Sequence, residues 1–136
     1  MTAPAHEQKN PYLGSPARPW IALRFVGIDG EPRDIKLVVD TGCPLSFAIS
    51  PDFAADFTFG WSTSIISNFG LLQDEWFQIA MPELGVEGLM VGFLSEEAAD
   101  AVRLDYPEFA GLVGLPFLRL LDYGGNRDEF WVPRAD

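Results

Sequence analysis

The chain has 136 residues, of which 20 are acidic and 9 basic, and its formal net charge is -11 at pH 7. This length fits one domain, and a hydrophobic content of 48% is enough for a core without disulfides. The negative charge argues against binding to nucleic acid or to anionic membranes. With one cysteine and one histidine, the chain has no intrachain disulfide, no cysteine-rich zinc site and no ready Ser-His or Cys-His catalysis. Acid–base chemistry is therefore expected from carboxylates.

The first 19 residues contain four prolines among scattered polar residues. This composition predicts a disordered N-terminal arm over residues 1–19, followed by one domain over residues 20–136. No apolar run reaches the roughly 18 residues that a membrane span needs. The N-terminus also lacks the hydrophobic region of a signal peptide. We therefore expect a cytoplasmic protein with no membrane partner.

Short apolar segments rich in β-branched and aromatic residues follow the arm, and most of them predict strands. In chain order the predicted strands are 20–28, 33–39, 45–49, 57–67, 74–81, 88–94, 109–113 and 128–132. Asp29-Gly30 predicts a hairpin turn between the first two. Ser50 and Ser95 are predicted helix N-caps, and residues 115–121 predict a third short helix. The sequence thus predicts a mainly β domain with two or three short helices.

The chemically informative segment is Leu37 to Gly42, where an apolar strand runs directly into Asp40-Thr41-Gly42. A carboxylate at the end of a buried strand is poorly solvated, so its position requires a reason. The three-residue motif alone is weak evidence, because composition produces it by chance in roughly a few per cent of chains of this length. An aspartate that simply caps the following turn is the alternative explanation.

The segments around this motif strengthen the evidence that it provides for a function. Asp40-Thr41-Gly42 is followed by a Leu45–Pro51 segment, a turn at Asn68-Phe69-Gly70, and the apolar, glycine-containing Gly111–Leu118 segment. In this order they resemble the retropepsin-like aspartic proteases, the single-domain relatives of retroviral protease. The matching family features are a strand with an Ile-Ser-Pro helix entry, a flap hairpin, and a hydrophobic-hydrophobic-glycine element with its following helix. The resemblance covers about Trp20 to Val132 and implies a closed retropepsin-like acid-protease barrel.

The resemblance also implies a function, that of an aspartic endopeptidase acting on extended peptide segments of a peptide or protein substrate. Two identical chains would meet at their Asp-Thr-Gly turns, and each would contribute one Asp40 to a shared catalytic pair. One carboxyl would be charged and activate a water, while the other would be protonated. Thr41 would link the two turns through hydroxyl hydrogen bonds, Gly42 would allow the tight turn, and Gly114 would pack beneath it. No metal and no cofactor is implied.

Two features depart from the family's pattern. Cys43, followed by Pro44, stands where alanine, serine or threonine is usual, and a thiol is a weak hydrogen-bond donor. The flap tip Asn68-Phe69-Gly70, which would close over the peptide, contains a single glycine. These departures leave open a catalytically silent retropepsin-like module that binds peptides or mediates dimerisation. A third option is a monomer whose partner half comes from another protein.

Overall fold

The computed structural model describes residues 6–14, 17–67 and 70–135. Within these ranges the chain forms ten strands, three short α-helices and one 3-10 helix. The strands are β1 (His6–Pro11), β2 (Trp20–Val26), β3 (Pro32–Asp40), β4 (Phe47–Ile49), β5 (Thr58–Ser67), β6 (Gly70–Met81), β7 (Val86–Leu94), β8 (Gly111–Gly114), β9 (Gly124–Gly125) and β10 (Glu129–Pro133). The α-helices are α1 (Pro51–Ala54), α2 (Glu96–Arg103) and α3 (Leu115–Leu118), and the 3-10 helix is Pro82–Leu84.

Six strands close into a mixed barrel in the order β2-β3-β8-β4-β7-β6. A short antiparallel contact of β2 with β6, in which Phe25 pairs with Ile79, completes the ring. The β3–β8 and β4–β7 pairs are parallel, and the other pairs in the ring are antiparallel. Strand β5 pairs with β6 outside the ring, and β1, β10 and β9 form a separate three-stranded sheet. The prediction of a mainly β, closed barrel with short helices is confirmed at this level.

Local sequence signals explain where these elements begin. Ile35, Leu37 and Val39 of β3 are buried, whereas Lys36 is exposed, as the alternating pattern predicts. The turn before β3 is closed by a hydrogen bond from the amide of Gly30, whose φ of +83° suits glycine. Ser50 caps α1 by accepting a hydrogen bond from the amide of Asp52, so the predicted helix start is confirmed. Ser95 caps α2 in the same way.

The hydrophobic core has two parts, one on each face of the barrel wall. Inside the barrel, the rings of Phe25, Phe47 and Phe77 pack edge to face with centroids 5.3 to 5.8 Å apart. Outside the barrel, a smaller cluster lies between α2 and the strands β3 and β8, and it includes Val38 and Val102. The end of β3 is therefore packed on both faces, which fixes the position of the residue that follows Val39.

The prediction of a disordered arm over residues 1–19 is wrong for the described part of that segment. Residues 6–11 form β1, which pairs antiparallel with β10. The side-chain amide of Gln8 donates to the carbonyl of Ala22 at 2.7 Å and accepts from its amide at 2.9 Å. The side-chain amide of Asn10 donates to the carbonyl of Trp20 at 2.9 Å. Polar side chains thus satisfy backbone groups along the edge of β2, a contact that composition does not reveal.

The helices in the described part of the chain are all short. The longest of them in the described part of the chain is α2, with eight residues. None of the helices described has the length and apolar character required to cross a bilayer.

Candidate active site

Asp40 is the last residue of β3, and strand β8 lies directly beside it. The two strands are parallel, and Asp40 pairs in register with Gly114, the last residue of β8. On its other side β8 pairs with β4, which follows the Asp-Thr-Gly turn in the chain. The connection from β3 to β4 must therefore cross the end of β8. This crossing places the turn at the carboxyl ends of two parallel strands.

Backbone hydrogen bonds hold the turn on both of its sides. The amide of Gly42 donates to the Oδ1 atom of Asp40 at 3.0 Å, and the amide of Cys43 donates to the Asp40 carbonyl at 3.0 Å. Across the crossing, the amide of Gly114 donates to the carbonyl of Ser46 at 2.9 Å. The Asp40 carboxylate is thereby oriented by the turn that it begins.

Gly114 lies so close to the turn that a side chain would not fit. A Cβ atom at this position would collide with the carbonyl oxygen of Leu45 and would lie 2.7 Å from the carbonyl oxygen of Cys43. Both neighbours are backbone atoms, which cannot rotate away as a flexible side chain can. The predicted packing of Gly114 beneath the turn is present in the structure, for this steric reason.

The Cys43 side chain is buried beneath the turn and is 2% exposed. Its Sγ atom lies 3.9 Å from the carbonyl oxygen of Leu45, two residues along the same turn. Burial raises the pKa of the Cys43 thiol above its usual 9.0, because the thiolate would lose its hydration. Cys43 is therefore a neutral packing residue at this position.

The solvent-facing side of the site comprises Asp40 itself, which is half-buried, and the exposed Thr41 and Gly42. In the described part of the chain, the Asp40 side chain accepts its one hydrogen bond from Gly42, through Oδ1. The second carboxylate oxygen is thus available to a water or a substrate. No group of three or more His, Cys, Asp or Glu side chains that could hold a metal occurs among the described residues.

A groove and a cavity, both lined by described residues, adjoin the Asp-Thr-Gly turn. The groove has a volume of about 630 Å³, lies between the turn and α3, and is lined by Thr41, Gly42, Leu115 and Leu120 among others. The cavity has a volume of about 380 Å³ and is lined by Asp40 together with Arg18 and apolar residues of β3, β8 and α2. Asp40 is the single carboxylate in the lining of this cavity. The described lining of this cavity therefore offers one carboxylate for acid–base chemistry.

Arg18 is a residue at this site that sequence reasoning placed in the arm. Its backbone forms two hydrogen bonds of 2.9 Å with Leu13, and the following Pro19 accepts one of 2.9 Å from the amide of Val39. A hydrogen bond thus joins Val39, the residue before Asp40, to Pro19, the residue after Arg18. The Arg18-Pro19 pair before an apolar strand was the available signal, because proline restricts the preceding residue to an extended conformation.

The predicted flap corresponds to the hairpin of β5 and β6. The two strands pair from Thr58, opposite Phe77, to Ser67, opposite Gly70. Of the predicted tip residues, Gly70 begins β6, whereas Asn68 and Phe69 lie outside the described residues. The hairpin is present, and the role of its tip stays a prediction.

No protein-family model and no curated protein matches this sequence.

Proposed function

We propose that this protein is an aspartic endopeptidase of the retropepsin-like type, with an active site formed by two copies of the chain. The observation that supports the proposal best is the Asp40 turn, which crosses over the side-chain-free Gly114 at the ends of two parallel strands. A turn that merely reverses the chain needs no such close backbone packing. The arrangement instead fixes a half-buried carboxylate, which uses its Oδ1 atom to accept a hydrogen bond from its own turn.

The proposed chemistry uses one Asp40 from each chain. Two carboxyls in contact do not both ionise, and aspartic proteases are the established example of this behaviour. The charged Asp40 takes a proton from a water, whose oxygen attacks the carbonyl carbon of the peptide bond. The protonated Asp40 donates a hydrogen bond to the oxyanion that develops. As the C–N bond breaks, the departing amine takes up the proton that the first Asp40 removed from the water, and that carboxylate is restored. The products are a free carboxyl group and a free amine.

The surface next to Asp40 supports a homodimer. Thr41 and Gly42 are exposed beside a groove whose apolar side chains include Leu115, which is 36% exposed, and Leu120, which is 52% exposed. Apolar groups exposed next to a functional turn are typical of an interface. A second copy that covers this groove would bring its own turn close to the first. The hairpin of β5 and β6 would then cover the bound peptide.

The test compares Asp40→Asn with Asp122→Asn on a mixture of peptides at mildly acidic pH, with products identified by mass spectrometry. Asparagine retains the oxygen that accepts from Gly42 but cannot act as a base. We expect Asp40→Asn to lower the cleavage rate at least about a hundredfold. Asp122 is exposed, so its variant controls for the loss of one charge and should cleave normally. Equal cleavage by the Asp40→Asn variant would contradict the proposal.

A catalytically silent peptide-binding or dimerisation module is the second candidate. The observation in its favour is that the Cys43 thiol faces the Leu45 carbonyl beneath the turn, and so supplies no hydrogen bond to a pair of Asp40 carboxyls. On this account, peptides bind equally well to wild type and to Asp40→Asn, and neither protein cleaves them at any pH. A stable monomer in sedimentation experiments would instead favour a partner half from another protein.

A further inference from the structure

The cavity of about 380 Å³ beside Asp40 has one cationic group in its lining, Arg18. Asp40 also lines the cavity, and the remaining walls are apolar. They include Val38 on β3, Val102 on α2 and Leu112 on β8, which also pack together in the smaller core cluster. The walls thus come from rigid elements, and their shape does not depend on a loop. A volume in this range is typical of a small binding site.

The Arg18 guanidinium forms no ion pair in the described part of the chain. Arg24, Arg33 and Arg103 each lie within 4 Å of a carboxylate, but no described carboxylate, Asp40 included, lies this close to Arg18. Arg18 is half-buried, and its guanidinium offers a fork of N–H donors beside apolar walls. This donor geometry favours an anion with two acceptor oxygens.

The backbone of Arg18 is fixed beside the catalytic strand. Leu13 bonds to it through two hydrogen bonds of 2.9 Å, and the Pro19 carbonyl accepts from the amide of Val39 at 2.9 Å. Proline also limits the backbone freedom of the residue before it. The root of the side chain is therefore positioned before any ligand binds, which lowers the entropy cost of binding.

We propose that this cavity is a substrate subsite for a carboxylate and that Arg18 determines this specificity. The inference rests on the proposed function, because it names the substrate class of the Asp40 site. The pair of Asp40 carboxyls shares one proton and so has one negative charge. Arg18 supplies the positive charge that a second carboxylate, from the substrate, requires. The apolar walls hold the methylene groups that precede it. Since the whole chain has a charge of -11, the preference must arise locally and not from long-range attraction.

The carboxylate has two sources in a peptide, namely an aspartate or glutamate side chain and the C-terminus. We would cleave a mixture of peptides with the wild-type protein and record which residues flank the cleaved bonds. Matched synthetic peptides then differ only in Glu against Gln near the bond, or in a free against an amidated C-terminus. The pH is one at which these carboxylates are ionised.

Wild type should cleave the matching carboxylate peptide with a kcat/KM about tenfold higher than its neutral counterpart. Arg18→Gln should still cleave the neutral peptide but lose the preference for the carboxylate peptide. Arg18→Lys should retain part of this preference. Arg127→Gln removes the same charge from an exposed turn and should leave the ratio unchanged. The proposal is overturned if wild type shows no carboxylate preference. It is also overturned if Arg18→Gln keeps the carboxylate preference. A variant that changes the pH profile for neutral peptides and leaves the carboxylate preference intact overturns it in the same way.

A binding measurement separates failure of this inference from failure of the proposed function. The Asp40→Asn protein is titrated with the same matched peptides, with and without Arg18→Gln. If no protein cleaves but binding favours the carboxylate peptide through Arg18, the endopeptidase proposal fails and the subsite stands. If cleavage depends on Asp40 without a carboxylate preference, the subsite fails alone. If neither cleavage nor a carboxylate preference in binding is found, both are overturned.

Discussion

Asp40 and Gly114 are register partners at the carboxyl ends of two parallel strands. The turn after Asp40 crosses over Gly114, and the amide of Gly114 donates to the carbonyl of Ser46 within that turn. The position of the carboxylate thus depends on a residue 74 places further along the chain, because the crossing is possible only without a side chain there. Stability and catalysis should respond together when this contact is changed.

Gly114→Ala is expected to destabilise the protein and to reduce cleavage. The new methyl group would collide with the Leu45 carbonyl, and the turn would have to move, at a cost of about 1–3 kcal/mol. Denaturant unfolding and peptide cleavage measure the two effects. Gly124→Ala is the matched control, since its nearest neighbour is the Trp131 side chain at 3.1 Å. A Gly114→Ala protein with normal stability and activity would show that the crossing does not constrain Asp40.

Gln8→Ala tests whether β1 belongs to the folded domain. The change removes two hydrogen bonds to the backbone of Ala22 and leaves those groups without their protein partner. We expect the free energy of unfolding to fall by about 1–3 kcal/mol. The neighbouring Lys9 is exposed, so Lys9→Ala should change it little. If the two variants are equally stable, residues 6–11 do not contribute to the fold.

Glu75→Gln tests the effect of a buried carboxyl group on the pH dependence of stability. Glu75 lies in β6, and burial raises its pKa above the usual 4.5 because the charged form loses hydration. The folded state therefore holds this proton more tightly than the unfolded state. The stability that it contributes is present below pH 4.5 and is lost as the pH rises through the raised pKa.

Wild type should therefore lose stability relative to Glu75→Gln as the pH rises through this window. Thermal unfolding across a pH series measures the difference between the two proteins. Glu87→Gln removes an exposed carboxylate of β7 and serves as the control for charge. A constant difference between wild type and Glu75→Gln at all pH values would contradict the prediction.

Cys43 should react slowly with iodoacetamide in the folded protein at neutral pH. Its side chain is buried, and its raised pKa keeps the thiol protonated, whereas alkylation requires the thiolate. Mass spectrometry of labelled protein with and without denaturant gives the two rates. Rapid labelling without denaturant would mean that the turn opens or that the thiol is activated. Cys43→Ala is expected to retain cleavage.

The sequence predicted most strands correctly because their hydrophobic patterns are local. Alternation in β3 and the serine caps of α1 and α2 depend on residues a few positions apart. Strand β1 was missed because its segment is polar and its stability comes from hydrogen bonds of Gln8 and Asn10 to the distant strand β2. Strand β9 consists of two glycines, which have no strand propensity of their own.

In the candidate site, too, residues marked by a local pattern were predicted and residues placed by distant contacts were not. Asp40 and its turn were identified from adjacent residues, and Gly114 from an apolar segment that the resemblance placed beside them. The sequence shows Arg18 only as the residue before Pro19 and an apolar strand. Its place beside Asp40 depends on the hydrogen bond from the Val39 amide to the Pro19 carbonyl, which no local pattern encodes. Closure of the barrel also depends on a short contact between β2 and β6 that no local pattern encodes.

Subunit mixing tests the central claim, a site shared by two Asp40 residues, most directly. Wild-type protein is incubated with increasing amounts of tagged Asp40→Asn protein, and the mixed dimers are confirmed by capture on the tag. Tagged Asp122→Asn protein is the control. We predict that cleavage activity per wild-type chain falls in proportion to the fraction of Asp40→Asn chains and does not fall with the control. Constant activity per wild-type chain, in samples where mixed dimers are present, would contradict the shared site.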